Sequence, residues 1–339
     1  EGPLAVAYGF LRALEFERWS EAEAHFAAAA SVPGPLVAMA RYKQGFAALK
    51  RGDAPAGAEA FAQLLALPDL SKETQVDGLS RIAWALRDLG GAPAAGRFLA
   101  EHGNPPYAHE LLLALAQQEN DDGAFDRAAG TWRAALERDP ALPENVQLAR
   151  RILAAWDARG RAAESLEARL DLGRWFAPGG RGAAVGDQGS AFGAHALLEA
   201  AFLVHEDARA KQDNAGLDRA VGLYREVERL YPASDSLALA YSSEGEALFD
   251  LARFGEAAEA HGRALTATGA TPERRREAAF GAALARERAA AAVAYRGAEE
   301  KDALEHAIER LESEAPKDPR VPPLWLSLAL GSRDHDDPA

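Results

Sequence analysis

One pattern recurs along the whole chain and limits its fold more than any other feature. A small residue is followed about a turn later by an aromatic residue or leucine, then by another small residue and often by proline. A clear copy runs from Ala238 to Gly269, where Gly245 and Ala257 are small and Phe254 is large. Because small side chains let two backbones approach closely, this spacing predicts a pair of antiparallel helices. Its recurrence predicts a stack of such pairs.

The copies are spaced at intervals that mostly fall near 34 residues, the length of a known helix-turn-helix repeat. Alanine, the strongest helix former, is abundant throughout, and β-branched residues are sparse. The sequence therefore predicts an all-α chain of about eight repeats. The predicted repeats start near Pro3, Ala38, Val76, His109, Val146, Ala201, Ala238 and Leu284.

The second helices of the best copies carry a recognisable signature of alanine, aromatic residue, a second small or branched residue and a closing proline. On these residues the chain resembles tetratricopeptide-repeat (TPR) proteins over nearly its full length. The resemblance implies an α-solenoid, in which the repeats build a right-handed TPR superhelix and each pair completes the core of its neighbour. The residues that carry it are Ala128, Trp132, Ala135 and Pro140 in one copy and Ala220, Tyr224, Val227 and Pro232 in another.

Two interruptions divide the predicted array. We expect an N-terminal array of about five repeats over 1–178, a glycine-rich insertion over 179–193, and a C-terminal array of about three repeats over 194–339. In the last part, one extended helix is expected from its cap at Thr271 to Tyr295. A capping helix and a frayed tail are expected to end the chain.

Composition and charge argue against several classes of partner. The chain of 339 residues has a formal net charge of −14 and a pI near 5.1, whereas nucleic-acid binders concentrate positive charge. We therefore expect no nucleic-acid partner. The chain has no cysteine, so disulfides, thiolate nucleophiles and cysteine-ligated metals are excluded. It also lacks a run of about 18 apolar residues, so no membrane span is expected.

No motif for catalysis or for a cofactor stands out. The glycine-rich segment lacks the Gly-Lys-Ser/Thr ending of a phosphate-binding loop. The histidines form no metal-binding pair one helical turn apart, and His25, His261 and His306 fall just before the aromatic slot of second helices, which favours a packing or surface role. We therefore expect a protein that is not an enzyme and that uses no cofactor and no metal.

The resemblance also implies where a partner binds. In TPR proteins the first helix of each pair lines a concave groove, and its second, fifth, ninth, twelfth and thirteenth positions tend to face a ligand. Their mixture of aromatic and polar side chains here suits an extended peptide or a helix. The lysine and asparagine pair that holds terminal carboxylates in co-chaperone TPR proteins is missing. The groove residues so assigned are Tyr42, Phe46, Lys50, Trp84, Arg87, Gln117, Arg150, Asp157, His205, Arg209, Ser242, Glu246, Asp250, Arg288 and Tyr295.

The segment after Tyr231 points to a cellular location. A Tyr-Pro-x-Ser link, residues 231–234, leads into the Ala-x-x-Tyr of residues 238–241, and this resembles TPR proteins of the bacterial cell envelope. The resemblance implies a periplasmic or outer-membrane-associated protein, with the cytoplasm as the alternative. A lipid anchor upstream of Glu1 is an expectation that goes with an envelope location.

The function expected from these observations is a non-catalytic scaffold. It would bind protein or peptide partners in its concave groove, in a bacterial cell-envelope complex. The alternative is a regulatory module of a larger signalling or effector protein, which senses a ligand or a peptide.

Overall fold

The computed structural model describes residues 2–336, with side chains described through Gly331. Within that range the chain forms 17 α-helices and one short 3₁₀ turn, and contains no strand. The prediction of an all-α fold is therefore confirmed. The chain divides into two compact units between Ala162 and Ala163, earlier than the boundary at 178 that the sequence predicts.

The first unit contains nine helices, most of them between 12 and 14 residues long. Sequence-adjacent helices pack against each other, and α5 also packs directly against α7 because α6 is short. The helices are α1 Gly2–Glu15, α2 Trp19–Ala30, α3 Val37–Lys50, α4 Ala54–Leu65, α5 Lys72–Asp88, α6 Ala92–Glu101, α7 Ala108–Asp121, α8 Phe125–Arg138 and α9 Asn145–Asp157.

The second unit contains longer helices, of which α11 has 25 residues and α15 has 21. Here too each helix from α11 onwards packs against the next. The helices are α10 Ala162–Trp175, which begins at the boundary, α11 Asp187–Lys211, α12 Asn214–Leu230, α13 Leu237–Asp250, α14 Phe254–Ala264, α15 Pro272–Ala292, α16 Ala298–Glu314 and α17 Val321–Asp336.

The eight predicted repeat starts all fall in odd-numbered helices, from α1 to α15. The odd helices are therefore the first helices of the pairs and the even ones the second, while α17 follows the last pair. The second helices bury an aromatic ring between small residues, as at Phe61 and Tyr224, which are 0% and 1% exposed. This confirms the predicted helix-pair packing within each unit.

Local signals explain several helix ends. Asp53 caps α4 by accepting a hydrogen bond from the Ala56 backbone N–H at 3.0 Å. Thr271 caps α15 in the same way, and Pro272 occupies its first turn, where a missing N–H costs nothing.

The glycine-rich segment differs from the predicted insertion. It folds back on α10, with the Gly182 N–H donating to the Trp175 carbonyl at 2.8 Å. A Cβ on Gly182 would overlap the Trp175 indole ring, so glycine allows this close approach. After the 3₁₀ turn at Ala183–Val185, α11 begins at Asp187, and the second half of the segment is helical. In this helical part Phe192 packs on Phe176, with ring centroids 5.3 Å apart, and the contact stabilises the helical conformation.

Two further expectations near the C-terminus need correction. Helix α15 ends at Ala292 rather than continuing to Tyr295, because residues 294 and 295 adopt left-handed backbone angles that end an α-helix. The predicted frayed tail is helical as far as Asp336, and its last residues, 337–339, lie outside the described residues.

Candidate functional site

Close contacts between small residues and aromatic rings define the register of the first helices. A Cβ on Gly45 of α3 would lie 2.6 Å from the Phe61 ring, and one on Gly9 of α1 would lie 3.1 Å from the Phe26 ring. Gly9 and Gly45 are therefore equivalent, at the eighth position of their repeats. The first repeat thus starts one residue earlier than predicted, so its ninth position is Phe10.

The ninth positions of the first three repeats form a row of aromatic side chains. They are Phe10 on α1, Phe46 on α3 and Trp84 on α5. Phe10 is 47% exposed and Trp84 is 39% exposed, while Phe46 is half-buried against Trp19, with ring centroids 6.4 Å apart. We call these three residues the aromatic ladder. A row of partly exposed apolar rings at equivalent positions of successive repeats is a candidate binding surface.

A cationic side chain lies over each ring of the ladder. The Lys43 Nζ lies 5.5 Å from the centroid of the Phe10 ring, and the Lys50 Nζ lies 5.5 Å from that of Phe46. The Arg87 guanidinium lies 5.7 Å from the Trp84 ring. Attraction between a cation and the electron-rich ring face favours these positions. Arg87 is also held by Asp122 at 2.6 Å and by Asp88 at 3.0 Å, so the ladder is basic at Phe10 and Phe46.

An open cavity of about 810 Å³ lies between α3 and α5. Its lining includes Tyr42, Val76, Asp77 and Ser80, and Val76 is 58% exposed. Burial, together with a hydrogen bond to Asp77, raises the pKa of the Tyr42 hydroxyl. The Tyr42 hydroxyl therefore stays protonated at neutral pH, and the cavity offers a polar wall beside an exposed aliphatic side chain.

The other predicted groove residues of the first unit lie on α7 and α9. Gln117 is exposed and donates to Asp121 at 2.7 Å. Arg150, near the middle of α9, and Asp157, its last residue, are both exposed. The aromatic row does not extend to these helices, because the ninth position of the α7 repeat is Gln117.

In the second unit, four predicted groove residues lie together on α11 and α13. Arg209 pairs with Asp250 at 2.7 Å and with Glu246 at 3.8 Å, and Glu206 lies 3.5 Å away on its own helix. Ser242 is half-buried on α13, one turn before Glu246. Because the guanidinium is surrounded by carboxylates of its own chain, the face presents acidic rather than basic character.

His205 does not face a groove as predicted. It is 2% exposed, with Nδ1 3.2 Å from the Tyr224 hydroxyl and Nε2 3.4 Å from the Asp250 carboxylate. The reason is its position beside the aromatic slot, where the Tyr224 ring packs edge-on against the imidazole. His205 therefore belongs to the core, and its imidazole contacts the Asp250 carboxylate from the buried side.

Arg288 and Tyr295 also depart from their predicted positions. Gly281 of α15 contacts the His261 ring as Gly245 of α13 does, so Gly281 is the eighth residue of its repeat. Arg288 then lies beyond the groove positions, exposed and 3.6 Å from Glu287. Tyr295 lies after the end of α15 and donates to Glu287 at 3.1 Å. The extra length of α15 causes the shift.

The predicted equivalence of three histidines is also wrong. His261 lies in the aromatic slot itself and is buried, whereas His306 is exposed on α16. His25 is half-buried, with the Tyr8 ring edge-on at 4.5 Å.

One cluster in the second unit is not predicted by any pattern in the sequence. Glu244 on α13 is 0% exposed and accepts hydrogen bonds from Arg225 of α12 at 2.6 Å and from Arg263 of α14. Arg263 also lies 4.4 Å from the Tyr241 ring and 2.8 Å from Glu228. A charge-assisted bond to each neighbouring helix satisfies the buried carboxylate. No sequence signal distinguishes Glu244 from the exposed acids around it.

Among the side chains through Gly331, no three histidines, aspartates or glutamates converge as a metal site. Within residues 2–336, no helix combines the length and apolar character that crossing a membrane requires.

No protein-family model and no curated protein matches the sequence. Solved structures similar to the chain include a thermophilic TPR protein of Thermus thermophilus, with 20% identity, 66% of this chain and 99% of that chain covered, and a TM-score of 0.29. Another is the TPR2AB domain of yeast Sti1 in complex with an Hsp90 peptide. Its sequence is 17% identical, the match covers 87% of this chain and 100% of that chain, and the TM-score is 0.27. A third is a signal-transduction ATPase with a TPR sensor from Pyrococcus horikoshii. Its sequence is 12% identical, the match covers 100% of this chain and 45% of that chain, and the TM-score is 0.32.

Proposed function

We propose that the protein is a non-catalytic scaffold that binds a protein or peptide partner on the first-helix face of its first unit. The observation that supports this most is the aromatic ladder, in which equivalent positions of three successive repeats carry Phe10, Phe46 and Trp84. Exposed aromatic residues dominate the binding energy of many protein interfaces. The neighbouring cavity between α3 and α5 provides space for a side chain of the partner.

Selection of peptides from a random library against the full chain tests this proposal. We expect selected peptides to lose tenfold or more in affinity for a variant with Phe10→Ala and Trp84→Ala, because truncating an aromatic anchor removes its buried contact area. In the bound state, amide hydrogen exchange in α3 and α5 should slow.

Leu326→Ala provides the control, because Leu326 is an exposed apolar residue of α17 in the other unit. It should leave the affinity unchanged. Peptides that bind the double variant as tightly as the parent, or that protect only second helices, would contradict the proposed site.

We propose further that the scaffold works in a bacterial cell-envelope complex, where it is periplasmic or associated with the outer membrane. The support is the link of residues 231–234 and the following 238–241, which resembles envelope TPR proteins. Fractionation of the native cells, followed by immunoblotting, should recover the protein with the envelope fractions. Recovery with cytosolic markers would contradict this location and leave the binding proposal intact.

A further inference from the structure

Helix α3, which carries Phe46 of the aromatic ladder, is basic although the protein as a whole is acidic. The chain has a formal net charge of −14, yet α3 carries Arg41, Lys43 and Lys50 and no acidic residue. Lys72 lines the cavity between α3 and α5, together with the carboxylates of Glu73 and Asp77. Three of the six lysines of the chain therefore lie between residues 43 and 72.

The ammonium groups on the ladder have no acidic partner among the side chains that the structure describes. Lys211 forms an ion pair with Asp207 at 2.7 Å, whereas the described side chains place no carboxylate within 4.0 Å of Lys43 or Lys50. An ammonium group has three N–H donors, and contact with a ring face leaves donors free. Lys43 and Lys50 can therefore donate hydrogen bonds to a carboxylate from outside the chain while they stay over the rings.

The corresponding face of the second unit has the opposite character. There the ninth positions are Arg209 and Glu246, and the guanidinium is already held by Asp250 and Glu206. The exposed carboxylates of α11 and α13 would repel an acidic segment. The distribution of charge thus distinguishes the two faces.

We infer that the aromatic ladder binds an acidic partner segment in which large apolar side chains are interspersed with aspartate or glutamate. The apolar side chains would pack on Phe10 and Trp84, and the carboxylates would bind Lys43 and Lys50. This inference rests on the proposed function and specifies the partner. Complementary charge selects the partner and its register, while the rings provide most of the contact area.

Fluorescence anisotropy with two synthetic peptides tests the inference on the full chain. One labelled peptide alternates glutamate with leucine and phenylalanine, and the other has lysine at every glutamate position. We expect the acidic peptide to bind more tightly, and its affinity to fall as salt is raised. The variant Lys43→Gln/Lys50→Gln should weaken this binding about tenfold.

Two control variants separate charge from structure. Lys43→Arg/Lys50→Arg keeps both cations over the rings and should retain most of the affinity. Lys317→Gln removes an exposed lysine of the second unit and should have no effect. Circular dichroism would verify that helicity is unchanged in each variant.

Three results would overturn the inference: equal binding of both peptides, tighter binding of the lysine peptide, or binding of neither. A loss of affinity in Lys317→Gln as large as that in Lys43→Gln/Lys50→Gln would overturn the inference as well. These outcomes remain distinct from failure of the proposed function. Library peptides that need Phe10 and Trp84 but carry no acidic residues would refute the partner chemistry alone.

Discussion

His261 shows how one side chain connects three helices in the second unit. Its ring, on α14, lies between Gly245 of α13 and Gly281 of α15, and a Cβ on either glycine would come within 2.7 Å of the ring. In the first unit the equivalent slot holds Phe61. A titratable ring therefore occupies a position where the fold needs only an aromatic shape.

Burial of His261 makes stability depend on pH. Desolvation lowers the pKa of its imidazole to about 4, so the folded protein keeps it neutral in a range where the unfolded chain, with a pKa near 6.5, binds a proton. The contribution of neutral His261 to the free energy of unfolding is thus fully present above the unfolded pKa, and it is lost as the pH falls from there towards 4. At about pH 5 the loss amounts to about 2 kcal/mol.

We predict that His261→Phe removes this loss. A phenyl ring fits the slot, as Phe61 shows, and does not titrate. Urea unfolding measures the free energy of unfolding near neutral pH and at about pH 5. The difference between the two values should be smaller for the variant than for the parent, by about 2 kcal/mol. His306→Phe, at an exposed site, should keep the difference of the parent. An unchanged difference in His261→Phe would show that other groups cause the acid sensitivity.

At the scale of the helix pair, the small residues of the repeat set the distance between helices. Gly45 lets α3 approach the Phe61 ring of α4 so closely that a methyl group has no room. Gly130 on α8 has no heavy atom within 4 Å of the position that a Cβ would take. These two helical glycines of the same unit therefore differ in what they do for the fold.

Alanine at the two positions should have opposite effects. We expect Gly45→Ala to destabilise the first unit by about 1–3 kcal/mol, because the Phe61 ring must move. Gly130→Ala should stabilise the same unit by up to about 1 kcal/mol, because alanine is the better helix former. Thermal unfolding followed by circular dichroism measures both. Similar shifts in both variants would contradict the close-contact explanation.

The helix pairs could be predicted from the sequence because every repeat carries the same small and aromatic pattern. Helix ends and registers were harder to predict where this pattern competes with other constraints. The eighth position of α1 is Gly9, which becomes evident only from its contact with Phe26, so the pattern names Phe46 and Trp84 but misses Phe10. Likewise, α15 is longer than a standard first helix, and this shifts Arg288 and Tyr295 out of the predicted row.

The glycine-rich segment illustrates a second kind of limit. Glycine suggests a loop, and residues up to Gly186 do form turns. Asp187 to Gly193 nevertheless belong to α11, because tertiary contacts such as that of Phe192 with Phe176 outweigh the low helix propensity of glycine. Contacts between residues far apart in sequence also decide that His205 is buried against Tyr224. Local patterns do not contain this information.

At the scale of the whole molecule, the two units share one repeat design but carry different chemistry. The first unit presents aromatic rings with lysines that no described carboxylate pairs, and the second presents carboxylates around Arg209. The repeat constrains only the residues that pack, so its exposed positions are free to differ from unit to unit. Net charge, a single number for the chain, therefore predicts poorly what each face can bind.

The buried Glu244 also restricts how such a sequence can change over time. Arg225 and Arg263, on the two flanking helices, both donate to its single carboxylate. Loss of Glu244 alone would leave two guanidinium groups without their shared acceptor, whereas loss of one arginine leaves the carboxylate half satisfied inside the core. In descendants of this chain, positions 225, 244 and 263 should therefore be inherited as a set, or be replaced together by apolar residues.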